Sequence, residues 1–414
     1  MALANTTATL NGLFKEVYAK NLVNLIPDGV KLLTKIPFAK REATLGSLYH
    51  QPVILGHEHG VTFAAGDVDA FALNVSVAGQ IKDATVQGTQ LVLRSVLGLA
   101  AASRSMGGDA KAFMQGTKFL VSNMLRSVTK KLEIEMLYGQ VGYATLDAVV
   151  AIAGTVLQIP DSEWAPGIWA GGEGMPIEIR DSTGATVKTA ANTKIVSVDF
   201  STRQITIAPG LALATASGDV IWHGGDVSSA YGNEFPGIHK IVTNTGVLFG
   251  INATTYSLFR GNSYDALAGP LSFAKVQEAI SKAVEKGLDN DVLVIVNPLT
   301  WTDLLNDQAA LRMQDSSYST AKSEQGSKEL CFYGQAGKIE IVPSMYCKQG
   351  FSYVITPDEF MRIGSTDVTF QRPGKEGEFF RDMDNSAGYE LRCYCDQSLF
   401  CSAPAKNVLI YNIV

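Results

Sequence analysis

Residues 50–59 hold the densest group of side chains able to do chemistry: His50, His57, Glu58 and His59. Neutral imidazoles beside a carboxylate can bind a divalent metal. His57 and His59 are one residue apart, so on an extended chain they share a face, and Gly56 and Gly60 bracket them. No third ligand follows at a diagnostic spacing, and a packed or pH-sensitive contact fits this pair better than a metal. The five cysteines all come late, as Cys331, Cys347, Cys393, Cys395 and Cys401. A zinc site would need a second matched pair. The alternation Cys393-Tyr394-Cys395 suits instead a strand with small apolar side chains on one face. Their odd number, and a start at Met1–Thr7 without a basic or an apolar leader region, predict reduced thiols in a cytoplasmic protein.

Other patterns for catalysis are equally thin. Gly334–Lys338 is too short for a phosphate loop and lacks Ser or Thr after the lysine. Gly171-Gly172-Glu173-Gly174 has neither the strand before it nor the helix after it that dinucleotide binding needs, and reads as a turn. No G-x-S-x-G elbow occurs and no pair of carboxylates stands out. The expectation is therefore no catalytic, cofactor-binding or metal-ligating residue, and a protein that is not an enzyme.

The elements around these residues are easier to read. Leu10, Leu13, Phe14, Val17 and Tyr18 recur at helical spacing, but Pro27 and Pro37 forbid one long helix, so residues 1–41 form an arm with short helical pieces. From Leu45 to Leu99 the pattern turns extended, with Leu73, Val75 and Val77 alternating with Asn74 and Ser76, and Leu91 and Leu93 alternating with Val92 and Arg94. So long an extended run protrudes unless something covers its edges. Asp109 to Tyr138 carries the row Leu120, Met124, Val128, Leu132, Met136, which predicts a long helix with Asp109 as N-cap, Gly139 as stop and Gly116 as a weak point. This is a spine, with no ligand-binding chemistry evident on it.

Residues 155–226 are β-rich, with hairpins about Asp181–Gly184 and Ser201–Arg203. The rest is mixed α/β. Ser272 caps a helix to Lys286, Val292–Val296 is a strand covered on both faces, and Asn297-Pro298 opens another helix. Asp315–Glu329 reads as a polar loop, and strands follow at Lys338–Val342, Tyr353–Ile355, Tyr389–Cys395 and Val408–Ile413.

Composition limits what such a chain can be. Its 414 residues are 46% hydrophobic and 18% charged, below the usual ~25% charge of a soluble domain, so much of its surface is expected to be hidden in a core or against partners. No window approaches the ~20 apolar residues of a membrane span. The net charge of −6 argues against a nucleic-acid grip. Residues 1–139 nevertheless carry 14 basic against 10 acidic side chains, leaving the remainder acidic. Opposite-sign regions can steer one copy onto another, which makes assembly salt-sensitive.

Three local stretches carry a resemblance. They are Glu234-Phe235-Pro236-Gly237-Ile238 with Asn244-Thr245-Gly246 and Tyr256; Leu271 to Leu305 with Val296-Asn297-Pro298 and Trp301; and Tyr389 to Arg392 with Gln397, Leu399, Pro404, Lys406 and Asn407. With the order arm, extended loop, spine helix, β-rich region and α/β region, the chain resembles over its whole length the major capsid proteins of tailed bacteriophages. The resemblance implies an α+β, HK97-like capsid fold: an arm (1–41), an extended β-hairpin loop (42–104), the spine helix and start of a peripheral domain (105–150), a β-rich peripheral or inserted module (151–232), an axial α/β domain (233–345) and returning C-terminal strands (346–414).

It further implies a homo-oligomer of hexamers and pentamers that forms the icosahedral shell of a virion in the host bacterial cytoplasm. That shell would enclose double-stranded DNA without sequence-specific binding and without a membrane. A separate scaffolding protein is implied because no charged helical segment precedes the arm, along with a portal and optionally a decoration protein. Inter-subunit contacts are expected at Lys31, Lys35, Lys40, Arg41, His57, His59 and Lys82. Some members crosslink a loop lysine to a neighbour's asparagine; Lys82 is the only lysine between Arg41 and Lys111, though an ordinary exposed turn lysine is the simpler reading. Two alternatives stay open: a bacterial compartment shell of the same fold that encloses protein cargo, and a cytoplasmic metal-dependent enzyme centred on His57 and His59.

Overall fold

The structure, a computed structural model, describes residues 29–39, 48–67, 70–101, 116–307, 330–335, 337–371, 379–383 and 387–414. The spine helix runs over Gly116–Tyr138, about 35 Å of axial rise. Of its predicted apolar row, Met124, Val128, Leu132 and Met136 are buried and Leu120 is half-buried. The expected N-cap Asp109 lies outside the described residues. Gly139 ends the helix for a steric reason. A Cβ there would sit 2.1 Å from the Phe235 carbonyl oxygen, and one at Gly237 would sit 2.6 Å from the Gly139 nitrogen. The Gly237 N–H donates to the Gly139 carbonyl at 3.0 Å, so the two backbones cross in contact. Gly139→Ala is therefore expected to cost about 3 kcal/mol, seen as a lower denaturant midpoint; an unchanged midpoint would show that the crossing can part.

Two sheets pack around this helix. One is centred on the long strand Gly388–Cys401, which pairs with Phe360–Thr369 and Phe380–Asp382 along one side and with Thr89–Gly98 along the other. Cys393 and Cys395 both point into the core from that strand, as the alternation predicts. Burial pushes the Cys393 thiol up to about 11. The pairing of Thr89–Gly98 corrects the expected extent of the extended loop. Only Tyr49–Gly56 and Gln80–Val86 form a separate antiparallel hairpin, while the third strand is covered by the chain's own sheet.

The other sheet has six strands in the order 262–269, 408–413, 351–355, 292–296, 338–343, 330–333. Val292–Val296 lies inside it with all five residues buried. Side chains alternate across a strand, so Val292, Val294 and Val296 meet Phe273, Val276, Ile280 and Leu304 of the two covering helices. Leu293 and Ile295 belong instead to the large core that contains Leu132 and Met136 of the spine. A continuously apolar strand thus joins two cores. Both helices start as predicted: Ser272 Oγ accepts from the Lys275 N–H at 3.3 Å, and Asn297 Oδ1 from the Leu299 N–H at 2.9 Å. Residues 315–329 lie outside the described residues.

Of the two expected hairpins, Lys194–Asp199 pairs with Gln204–Ala208 as predicted; Ile177–Arg180 takes Val220–His223 as its ladder partner, and the turn closed on Asp181 returns only to a single bridge between Arg180 and Val187. Among the described residues no helix is long and apolar enough to cross a membrane.

Candidate assembly interface

The hairpin Tyr49–Gly56/Gln80–Val86 is anchored at its base, where Ala84 and Val86 are buried and the Thr85 N–H donates to the Phe249 carbonyl at 2.9 Å. Tyr256 Oη also reaches Gln80 Oε1 at 2.8 Å. Its far end is different. Phe63 is 90% exposed, Leu73 78% and Val75 84%, with Val61, Phe71 and Val77 also exposed. The alternation of residues 73–77 predicts a strand, and the segment has no ladder partner among the described residues. Three hydrogen bonds hold it to the outgoing chain: His59 N–H to the Val77 carbonyl (3.1 Å), Asn74 N–H to Thr62 Oγ1 (2.8 Å) and Asn74 Nδ2 to the Val61 carbonyl (2.9 Å). A strand pattern without a strand partner, and large apolar side chains in water, mark a contact surface.

His57 and His59 sit at this exposed end. Among the described residues no group of three or more His, Cys, Asp or Glu could hold a metal, so the pair finds no third ligand. His50 is engaged elsewhere, its Nδ1 lying 2.5 Å from Asp83 Oδ2 across the hairpin. Lys82 is exposed opposite Val53.

The arm's described end lies on its own subunit. Both oxygens of the buried Glu133 carboxylate accept backbone N–H groups, from Lys31 and Leu32 at 2.8 Å each and from Leu33 at 3.1 Å. Burial pushes this carboxyl upward, opposed by those three donors and by Arg362. Arg362 Nε in turn donates to the Ile36 carbonyl at 2.9 Å, and Leu32 and Ile36 are buried. Lys35 pairs with Glu340 of the same chain. Lys40 and Arg41 lie outside the described residues.

A cleft of about 710 Å³ opens between the spine helix, the strand stretch 89–93 and the glycine turn 171–174. On the helix side Lys131 Nζ pairs with Glu234 Oε1 at 2.8 Å and donates to Tyr143 Oη at 2.7 Å. Burial opposes that ammonium charge, but Tyr143, Glu234 and Glu135 outweigh it and raise the pKa above its ordinary value. Glu135 accepts from the Phe235 N–H at 3.2 Å, and burial, reinforced by Glu234 and opposed by Lys131, raises its carboxyl to about 8. His223 Nδ1 and Gln397 Nε2 face no hydrogen-bond partner although both are buried. Sequence reasoning missed this cluster. A readable sign was there: Leu132, Ile134, Met136 and Leu137 surround Glu133 and Glu135, so the helix is apolar on every side and its acids must be buried.

A pH dependence follows. Unfolded, Glu135 releases its proton near 4.5; folded, it keeps it to about 8. The folded state binds more protons in that window, so this group's stabilising contribution is full below 4.5 and declines as pH rises to about 8. Glu135→Gln is expected to flatten this decline in denaturant unfolding across the same window. A variant that keeps the wild-type slope would show that another group sets it.

No family model and no curated protein sequence matches the chain. Solved structures do. The cyanophage A-1(L) capsid asymmetric unit superposes with a TM-score of 0.59 at 11% identity, covering 99% of each chain. The capsid of a native GTA particle gives 0.53 at 8% identity over 100% of each, and a chain of Mycobacterium phage Bobi gives 0.50 at 9% over 98% of each. What is shared at such identities is the fold, the α+β HK97-like capsid fold, from end to end.

Proposed function

We propose that the protein is the major capsid protein of a tailed phage, a structural subunit that builds a closed icosahedral shell around double-stranded DNA. The observation that carries this reading is an anchored hairpin whose far end exposes Phe63, Leu73 and Val75 on a fold shared over its full length with capsid chains. A lone subunit gains nothing from such a surface. A neighbouring copy that covers it gains ~1.5–3 kcal/mol for each large side chain buried.

In this reading hexamers and pentamers form in the host bacterial cytoplasm with a separate scaffolding protein, a portal and, optionally, a decoration protein, and the shell has no enzymatic role. Residues 1–41 act as an arm and 42–104 as the reaching loop, though 89–98 belong to the subunit's own sheet. Residues 105–150 carry the spine, 151–232 the β-rich module, 233–345 the axial domain and 346–414 the returning strands. His57, His59 and Lys82 lie where a neighbour would be touched. Lys31 and Lys35 hold the arm to its own subunit.

Electron microscopy of the purified protein, alone and with a co-expressed scaffold, tests this. Closed shells or capsomers are expected, with assembly rates that fall between low and high salt. A protein that stays monomeric in every condition overturns the proposal, and shells that hold protein cargo in place of DNA would make it a compartment.

A further inference from the structure

We propose that Lys275, Lys282 and Lys286 close the outer edge of the six-stranded sheet, so that strand Asn262–Gly269 of one copy cannot pair with the same strand of another. A free edge is a template for any extended chain, and in a concentrated protein the commonest partner is an identical edge. Two such edges brought together join two sheets into one, a contact that competes with every other mode of association. The exclusion holds whether or not the chain builds shells.

Asn262–Gly269 is the last strand of its sheet and pairs with Val408–Ile413; among the described residues no strand covers its other side. The Asn262 N–H donates inward to the Asn407 carbonyl at 3.0 Å. Backbone groups alternate in direction along a strand, so Ser263 and Asp265 turn theirs outward. Ser263 is exposed. These outward groups are the ones a second strand would use.

The helix Phe273–Val284 lies over this strand, with Phe273, Val276, Ala279, Ile280 and Ala283 packed into the core. Lys275, Glu278 and Lys282 share one flank of it, at i, i+3 and i+7, and Lys286 follows just past its end. Lys282 Nζ donates to the outward carbonyl of Ser263 at 2.9 Å. Lys275 Nζ donates to the Ala266 and Pro270 carbonyls at 2.8 and 2.9 Å, and Lys286 Nζ reaches the Arg260 carbonyl at 3.4 Å. Tyr264 Oη donates to the Glu278 carboxylate. A Cβ at Gly269 would sit 3.0 Å from Lys275 Nζ, so the glycine leaves room for the ammonium. Each ammonium takes an acceptor that an incoming N–H would need. It also places a charge where two identical edges would bring like charges together.

The backbone blunts the same edge. Register runs from Asn262 opposite Val408 to Asp265 opposite Tyr411, then jumps to Gly269 opposite Ile413. Inside the jump Leu267 and Ala268 have φ of 56° and 50°, the left-handed region that strains residues other than glycine. The Leu267 N–H turns back to Asp265 Oδ1 at 2.8 Å, and Pro270 has no N–H to offer. Lysine, bulge and proline are separate ways of making an edge unfit for pairing, and all three act on this one. Backbone satisfaction does not require the lysines, because water serves an exposed carbonyl. Ordering three long side chains onto one edge costs rotamer entropy, and what it achieves is exclusion.

The test is Lys275→Met with Lys282→Met and Lys286→Met, which keeps side-chain length and helix propensity but removes the donors and the charge. Light scattering, electron microscopy and amide hydrogen exchange compare it with wild type and with Lys275→Arg, Lys282→Arg, Lys286→Arg. The methionine variant is expected to form polymers at concentrations where the arginine variant behaves as wild type. In those polymers exchange at Ser263 and Asp265 should be about tenfold slower than in the wild-type subunit, because their outward N–H groups are paired. Adding Ser263→Pro, which removes one of those groups at an edge that tolerates proline, is expected to suppress the polymers. Polymers with unchanged exchange at Ser263 and Asp265 come from exposed methionine and overturn the inference. So does a methionine variant indistinguishable from wild type. If the triple variant does not fold, Lys282→Met alone is read by the same two measurements. A wild-type chain that makes no shells overturns the capsid reading and leaves this comparison intact, which then sets a soluble subunit against a polymer.

Discussion

Leu73→Asp combined with Val75→Asp is expected to abolish closed shells while leaving the subunit folded. Both side chains stand more than three-quarters exposed at the far end of the hairpin. Surface substitutions away from packed features change stability by no more than about 0.5 kcal/mol, so the denaturation midpoint should stay at the wild-type value. Assembly is another matter. Two buried contacts worth ~1.5–3 kcal/mol each become two carboxylates that must be desolvated without partners. Every subunit of a shell repeats that penalty, so even a modest loss per contact removes the closed product. Size-exclusion chromatography and electron microscopy give the readout, with soluble subunits replacing shells. Shells of normal yield from the double variant would show that the hairpin end is not an assembly surface.

Glu133→Ala is expected to release the arm from its own subunit. One carboxylate takes the N–H groups of Lys31, Leu32 and Leu33, and hydrogen bonds to a charged group contribute ~1.5–3 kcal/mol each. Removing the acceptor leaves buried donors with nothing in reach, and a loss of about 3 kcal/mol is a conservative total. At ~1.4 kcal/mol per decade that is about a hundredfold, which amide hydrogen exchange at residues 31–36 should register as faster exchange. Exchange elsewhere in the spine should change little. Glu133→Gln recovers part of the protection, because its carbonyl oxygen accepts while its amide nitrogen repels the remaining N–H. Unchanged exchange at Leu32 and Leu33 in the alanine variant would show that the burial of Leu32 and Ile36 holds the arm without Glu133.

The same carboxylate shows where sequence reasoning stopped short. Lys31 and Lys35 belong to a basic run and so read as a patch for another molecule. In the fold their segment is bound within the chain, Lys31 through its backbone to Glu133 and Lys35 through its side chain to Glu340. The partners lie about a hundred and three hundred residues away, and no local pattern encodes a contact of that separation. Thr89–Gly98 shows the same limit. Its alternation marks a strand, but whether that strand extends the hairpin or closes the chain's own sheet depends on Gly388–Cys401, at the other end of the sequence.

What the sequence determined by itself was every element whose cause is local. Periodicity placed the spine row, Ser272 and Asn297 placed two helix starts, and the continuous apolar run Val292–Val296 announced a strand covered on both faces. Each follows from backbone hydrogen bonding and side-chain period within about ten residues. The tertiary structure alone decided which apolar surface is core and which is left for a partner. Cys393 and Val75 both hold apolar positions in alternating runs, yet one is fully buried in the core and the other is 84% exposed. Burial is a property of what the rest of the chain brings alongside. At the far end of the hairpin, none of the described residues covers Leu73 or Val75.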